Sequence, residues 1–233
     1  MRDPITIITT VRDGEMFLDR YFANLQTILG TDDRAVIVDD GSALPVSLPS
    51  ELPKRDQIQL LHPGKVGRGA ALNLAIENSE TDLIAIQDID DLSLPNRLDK
   101  QIAFLAKHPV ALLFARAMSD RWMPSFCGVQ RFASGRLLRS NPLHHSSLAM
   151  HRAIWECAGG YDTDLACCID LEFYLRAALR CGSSIWRLQA ALIERNLTPA
   201  TRHFAQVPDS IYQQTLQSVV AKHREGTVRG SSS

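Results

Sequence analysis

The chain has 233 residues, of which 45% are hydrophobic and 22% charged, the balance of a globular protein with one domain or one domain and a small appendage. Lys and Arg number 25 against 26 Asp and Glu, a net charge of −1, which argues against a general nucleic-acid binder. No apolar run reaches the roughly 18 residues of a membrane helix, and Met1-Arg2-Asp3-Pro4 leads into a strand-like run rather than a secretory leader, so a cytoplasmic protein is expected.

Ile5-Thr6-Ile7-Ile8-Thr9 is β-branched throughout and predicts a buried strand. Phe17, Leu18, Tyr21, Phe22, Leu25 and Ile28 recur at spacings of three and four, which predicts a helix over 15–29. Residues 35–38 predict a second strand, ended by Asp39-Asp40-Gly41-Ser42. The prolines of 43–56 read as loop, and 58–61 as a third short strand. A helix is predicted over 68–79 and a fourth strand over 83–86, central because it is apolar throughout. This alternation implies a mostly parallel sheet with helices on both faces. Such sheets bind ligands at the carboxyl ends of their strands, here Thr9-Thr10, Asp39-Asp40 and Asp88-Ile89-Asp90-Asp91.

Ser93-Leu94-Pro95 predicts the start of another helix, ended by His108-Pro109, and 110–115 a fifth strand. Residues 116–145 lose clear periodicity and carry Arg116, Arg121, Arg131, Arg136 and Arg139. A strand over 147–150, a short helix over 151–158 closed by Gly159-Gly160, a helix over 170–179 and a last helix over about 208–222 complete the reading. The five cysteines (Cys127, Cys157, Cys167, Cys168, Cys181) show no zinc spacing and read as reduced thiols, with Cys167-Cys168 an inert buried pair.

Three carboxylates within four residues, at 88–91, repel one another. They are best tolerated when solvated, at a helix N-terminus, or around a hard cation such as Mg2+ or Mn2+. Asp39 has a carboxylate placed to accept a ring N–H such as that of uracil, while Asp40-Gly41 reads as a turn. Gly64-Lys65-Val66-Gly67-Arg68-Gly69 fits neither the Walker nor the dinucleotide pattern. Its Lys65 and Arg68 still stand where a helix begins, suited to a diphosphate. Asp170 by itself reads as a residue of a helix's first turn, and of His144-His145 one is expected to be structural.

In order, these segments resemble the family 2 glycosyltransferases of the GT-A fold. The resembling pieces are Ile5–Arg12, Val36–Ser42, Gly67–Asn73, Ile86–Asp91 through Pro95–Leu98, His145–Arg152, Gly159–Asp162 and Asp170–Arg176. The resemblance implies a single α/β domain over 1–225, with a nucleotide-binding half (1–115), an acceptor-binding half (116–206), a C-terminal helix (207–225) and a flexible tail (226–233). It implies an inverting transfer of one sugar from a nucleotide-diphosphate sugar, UDP-sugar favoured, to an acceptor hydroxyl, as in polysaccharide biosynthesis. Asp39 would recognise the base, Thr9 and Val11 would touch base or ribose, and Arg68 and Asp88 would contact nucleotide or diphosphate. Asp90, with Asp88 and Asp91, would hold Mn2+ or Mg2+ in the manner of a D-x-D motif. Asp170 would be the general base, and His145 and Glu172 would lie on the acceptor side. The implied partners are the nucleotide-sugar donor and a carbohydrate or lipid-linked acceptor, without nucleic acid or a transmembrane segment, and with peripheral contact at the inner face of a membrane.

The chain departs from the family at Thr9-Thr10-Val11-Arg12, where many relatives have Pro-x-Tyr-Asn, and at Ile169, where many have an acidic residue. It lacks Gln-x-x-Arg-Trp after Asp170, which argues against a processive synthase; Arg195-Asn196, or less closely His203, falls where relatives often carry a His. Two other classes compete: a nucleotide-sugar-binding or regulatory subunit without activity, and a nucleotidyltransferase. The arginines of 116–139 suggest either an anionic acceptor or lipid surface, or a solvated face.

Overall fold

The computed structural model describes residues 2–120, 128–198 and 207–229. In chain order its first half holds β1 (Ile5–Val11), α1 (Glu15–Ile28), β2 (Arg34–Asp39), β3 (Ile58–Leu61), α2 (Arg68–Glu77), β4 (Leu83–Ile86), β5 (Leu92–Ser93), α3 (Arg97–Leu105) and β6 (Ala111–Ala117). The second half holds β7 (Val129–Phe132), α4 (Ser134–Leu137), β8 (Ala149–His151), α5 (Arg152–Ala158), α6 (Ile169–Arg180), β9 (Ser184–Glu194) and α7 (Asp209–Arg229). One sheet takes the order β3-β2-β1-β4-β8-β6-β9-β5, with β7 also on β9. β3, β2, β1 and β4 pair in parallel, β8 runs antiparallel between β4 and β6, and β6 and β9 are again parallel.

The period of two along each strand sends side chains into two apolar layers. Ile5, Ile7, Leu83, Ala85, Ala111 and Leu113 face the layer closed by Tyr21, Phe22 and Leu25 of α1 and Leu98, Ile102 and Leu105 of α3. Ile8, Ile84, Ile86, Leu112 and Phe114 face the layer closed by α2, α5 and α6. Helices therefore cover both faces, and β4 sits in the middle with all four residues buried.

Several expectations change. The strand β9 was not foreseen, because its sequence, Ser-Ile-Trp-Arg-Leu-Gln-Ala-Ala-Leu-Ile-Glu, keeps no steady alternation, and its pairing with β6 is interrupted after Ala115 and after Arg116. The helix expected from Ser93 begins at Arg97, since Leu92-Ser93 pairs with β9 and Asn96 is left-handed with φ 63°. The last helix continues to Arg229, past both the expected helix end and the expected start of a flexible tail at 226. The reduced-thiol expectation is corrected for two cysteines: α5 packs on α6, and Cys157 and Cys181 form a disulfide across that contact. Cys167 and Cys168 are free and half-buried, and burial together with Cys167 pushes the Cys168 thiol up to about 12, so it stays protonated. Cys127, Arg121 and His203 lie outside the described residues. Among the described residues no helix is long and apolar enough to cross a membrane.

Candidate active site

The parallel strands β1, β2 and β4 end on one edge of the sheet, and the acidic segment follows β4 there. One carboxylate oxygen from each of Asp88, Asp90 and Asp91 lies within 4.8 Å of the others. Burial and the charge of Asp88 push the Asp90 carboxyl up, and the same two causes push Asp91 up to about 6. Donors arrive from distant segments. The Ser146 hydroxyl and the Asn196 backbone N–H (2.8 Å) donate to Asp91, and the Asn196 side-chain amide donates to Asp90 at 3.1 Å. Behind them Arg97 is buried, donating to the Ile86 carbonyl (2.7 Å), Ser93 Oγ (2.8 Å) and Gln101 Oε1 (3.1 Å). Burial lowers its pKa to about 10 against the pull of Asp91 and Asp88, so it remains the cation beneath the group.

Arg68, the first residue of α2, reaches the cluster from the side. Its Nη2 lies 2.6 Å from Asp88 Oδ1 and 3.4 Å from His145 Nδ1, and His145 Nε2 lies 3.0 Å from the Tyr161 hydroxyl. Burial and then Arg68 push the His145 pKa down, so its ring is neutral. With an arginine donor at Nδ1, the ring proton sits on Nε2 and is donated to the Tyr161 oxygen. Burial and the charge of Asp170 hold the Tyr161 phenol protonated. Asp170 is the second residue of α6, half-buried, and accepts from Asn141 Nδ2 at 3.2 Å. Its charge acts on Arg68, His145 and Tyr161, so the first turn of α6 faces the same space as Arg68.

The loops at this edge are tied together. Asp39 accepts the backbone N–H groups of Ser42 and Val46, both at 2.9 Å, and lies 3.4 Å from His62 Nδ1. Burial would raise its carboxyl, but the bonds from Ser42 and Val46 and then His62 hold it below its usual range. Asp40 does more than form a turn: one of its oxygens accepts from Val66 N (2.7 Å) and Gly67 N (2.8 Å), fixing the glycine-rich loop ahead of Arg68. Two of the sequence motifs meet by packing. Asn73 bonds the Tyr161 backbone N–H (2.7 Å) and carbonyl (2.9 Å). A Cβ on Gly160 would stand 2.9 Å from Asn73 Oδ1, and one on Gly69 2.7 Å from the Asp162 carbonyl.

The structure thus brings together Asp88, Asp90, Asp91, Arg68, His145 and Asp170, and holds Asp39 at the carboxyl end of β2. It does not bring three others to the site. Thr9 is fully buried, with its hydroxyl spent on Tyr21 (2.6 Å) and the Gln87 carbonyl (2.7 Å), which corrects its expected contact with a base or ribose. Val11 is buried in the layer under α1, which corrects it likewise. Glu172 lies two residues past Asp170 but is fully buried in a charge network with Arg176 (2.6 Å), Lys222 (3.2 Å) and His223 (3.4 Å), not on an acceptor side. Sequence reasoning missed Ser146, Tyr161, Asn141 and the anchoring role of Asp40, and held Asn196 only as a position where relatives carry His.

The sequence pattern of Glycosyl transferase family 2 matches residues 6–160. An uncharacterized glycosyltransferase of Haemophilus influenzae is 24% identical over 177 residues, 70% of this chain and 65% of that protein. The pre-mycofactocin glycosyltransferase of Mycobacterium tuberculosis is 29% identical over 116 residues, 49% of this chain and 24% of that protein. The matched part is therefore under two thirds of the length of these curated relatives. Among solved structures, S. aureus TarS 1-349 in complex with UDP-GlcNAc superposes with a TM-score of 0.68 at 17% identity, covering 94% of this chain and 66% of that one. At that identity the likeness is one of fold.

Proposed function

The chain belongs to glycosyl transferase family 2 and has the α/β fold of the GT-A enzymes, and on that premise we propose that it transfers one sugar, with inversion, from a nucleotide-diphosphate sugar to an acceptor hydroxyl. The observation that carries this is the three-carboxylate group after β4, met by Arg68 and facing the charge of Asp170 from α6. A UDP-sugar is the favoured donor, supported by the UDP-GlcNAc complex of the TarS neighbour.

Asp88, Asp90 and Asp91 offer oxygen donors alone, a set suited to Mg2+ or Mn2+, and their mutual repulsion is what a divalent ion relieves. When bound, the ion stabilises the charge developing on the departing nucleoside diphosphate. Arg68 exchanges Asp88 for that diphosphate, adding a guanidinium to the same charge. Asp39 is held ionised but buried, with Val46 and His62 on one oxygen, so a ring N–H of the base would share the other, which accepts from Ser42. Asp170 takes the proton of the acceptor hydroxyl as that oxygen attacks the anomeric carbon. Asn141 fixes the orientation of its carboxylate.

The test is turnover of UDP-GlcNAc with Mn2+, followed as UDP release, beside calorimetric binding of UDP, dTDP and GDP. Release that Asp170→Asn abolishes, with UDP binding intact, supports the reading. UDP binding with no release from wild type under any condition favours a non-catalytic subunit. Failure of all three nucleotides to bind overturns the proposal.

A further inference from the structure

The arginines of the second half form a cluster that the proposed transfer does not use. In β9, Arg187 is in register with Gln130 of β7 and Phe114 of β6. Neighbours in register share a face, and Phe114 belongs to the apolar layer under α6, so Arg187 rises on the face that carries Asp170. Its guanidinium lies 5.1 Å from the Phe132 ring centre, and Arg136 of α4 approaches the same ring at 5.1 Å. Arg116 is near enough to act on Arg187 as well: burial first, and then Arg116 and Arg136 against Asp120, lower the Arg187 pKa. Three like charges therefore face one another.

Arg136 is exposed, but a solvated face does not describe the other two members. Arg116 is 6% exposed, Arg187 is half-buried, and Arg187 Nε is buried with no hydrogen-bond partner among the described residues. The carboxylate that faces them, Asp120, is already engaged, with one oxygen on His144 Nε2 (2.8 Å) and the other on the Ala117 N–H (3.0 Å). The cluster also adjoins the proposed base. Arg187 Nη1 donates to the Pro142 carbonyl at 3.4 Å, and the preceding residue, Asn141, donates to Asp170 at 3.2 Å. Leu137 of α4, next to Arg136, packs in the same apolar layer as α6.

We propose that Arg116, Arg136 and Arg187 bind a phosphate group carried by the acceptor and so seat its hydroxyl beside Asp170. The proposal rests on the reading of Asp170 as the base. Guanidinium groups match phosphate oxygens in paired hydrogen bonds, and a phosphate would add negative charge beside Asp120, the carboxylate that three arginines share. The phosphate belongs either to a soluble glycan or polyol phosphate or to a lipid headgroup.

The test titrates glycerol 3-phosphate, and uncharged glycerol as control, into the chain saturated with UDP and Mg2+, so that the donor site is filled. Vesicles of phosphatidylcholine with and without phosphatidylglycerol form the second arm. Wild type should bind glycerol 3-phosphate but not glycerol, and Arg136→Gln and Arg187→Gln should each weaken it about tenfold, the scale of one charge-assisted contact. Arg136 is exposed, so its variant keeps the test informative if Arg187→Gln misfolds. Binding to the anionic vesicles alone, lost in the same variants, assigns the phosphate to a lipid. Binding that both variants retain, or no phosphate binding in either arm, overturns the proposal. UDP affinity is read in the same samples, so loss of nucleotide binding marks failure of the transferase reading instead.

Discussion

Asn196 bonds Asp90 through its side-chain amide at 3.1 Å, although 106 positions separate the two residues. The contact exists because β5 runs antiparallel to β9, with Leu92 opposite Glu194, so the residues after β9 return past those before β5. The carboxylate group is thereby held by both halves of the chain.

Asp90→Ala should remove the metal-dependent part of nucleotide binding. A nucleotide at 100 times its Kd adds roughly 2.7 kcal/mol, worth roughly 5–10 °C in a chain of this size. Wild type should show such a shift with UDP and Mn2+ in a thermal-shift titration. An equal shift in Asp90→Ala would sink the metal assignment.

Asp170→Asn should lower sugar transfer by roughly 10²–10⁴-fold, the usual scale of a general base. The Kd for UDP should stay within about threefold, since the role proposed for the carboxylate is on the acceptor and not on the nucleotide. Transfer within tenfold of wild type would refute the assignment.

Arg97→Met should destabilise the fold by about 3 kcal/mol, because it leaves the buried Ile86 carbonyl and Ser93 hydroxyl without their donor. The midpoint of urea unfolding reads this directly. An unchanged midpoint would mean that desolvation of the guanidinium cancels all its contacts.

Glu172 gives a pH dependence whose sign is fixed. Burial works against its charge, but His223, Arg176 and Lys222 hold its carboxyl far below the ordinary 4.5. The folded pKa is depressed, so the stabilisation is complete above about pH 4.5 and is lost as pH falls toward the folded value. Denaturation midpoints measured from pH 7 down to 3 should fall more steeply for wild type than for Glu172→Gln. Parallel slopes would contradict the network.

Reduction of the Cys157–Cys181 disulfide should cost about 3 kcal/mol, the chain-entropy scale for a closed loop of this length, given a sequence separation of 24. Melting with and without a reductant measures it, and Cys157→Ser should melt alike in both conditions.

The first half of the fold was legible because its strands are short β-branched or apolar runs between turn residues. Residues 83–86 read as a buried strand, which set the acidic residues behind them on the carboxyl edge. β9 was not legible, because a half-buried strand with an interrupted register shows no period. Within the site, Asp88, Asp90, Asp91, Arg68 and Asp170 stood out through charge at element ends. Thr9 misled because strand parity alone does not tell which face of a strand end meets solvent: its hydroxyl turned inward to Tyr21. Asp40 was read as a turn former because its partners, Val66 and Gly67, lie more than 20 residues on. Glu172 shares a helix turn with Asp170, yet it pairs with Arg176 four residues on and with Lys222 and His223 of α7, which nothing in the sequence ties to it.

The long return from β9 also bears on how the chain matures during synthesis. The four parallel strands β1 to β4 end by residue 86, so a nascent chain can assemble that half-sheet early. The carboxylates of 88–91 then emerge with Arg68 and soon Arg97 at hand, but without the donors from Ser146 and Asn196, the latter more than 100 residues further on. Slow translation past β4 should therefore prolong a state with an assembled first half and an acidic rim that still lacks its last hydrogen-bond donors.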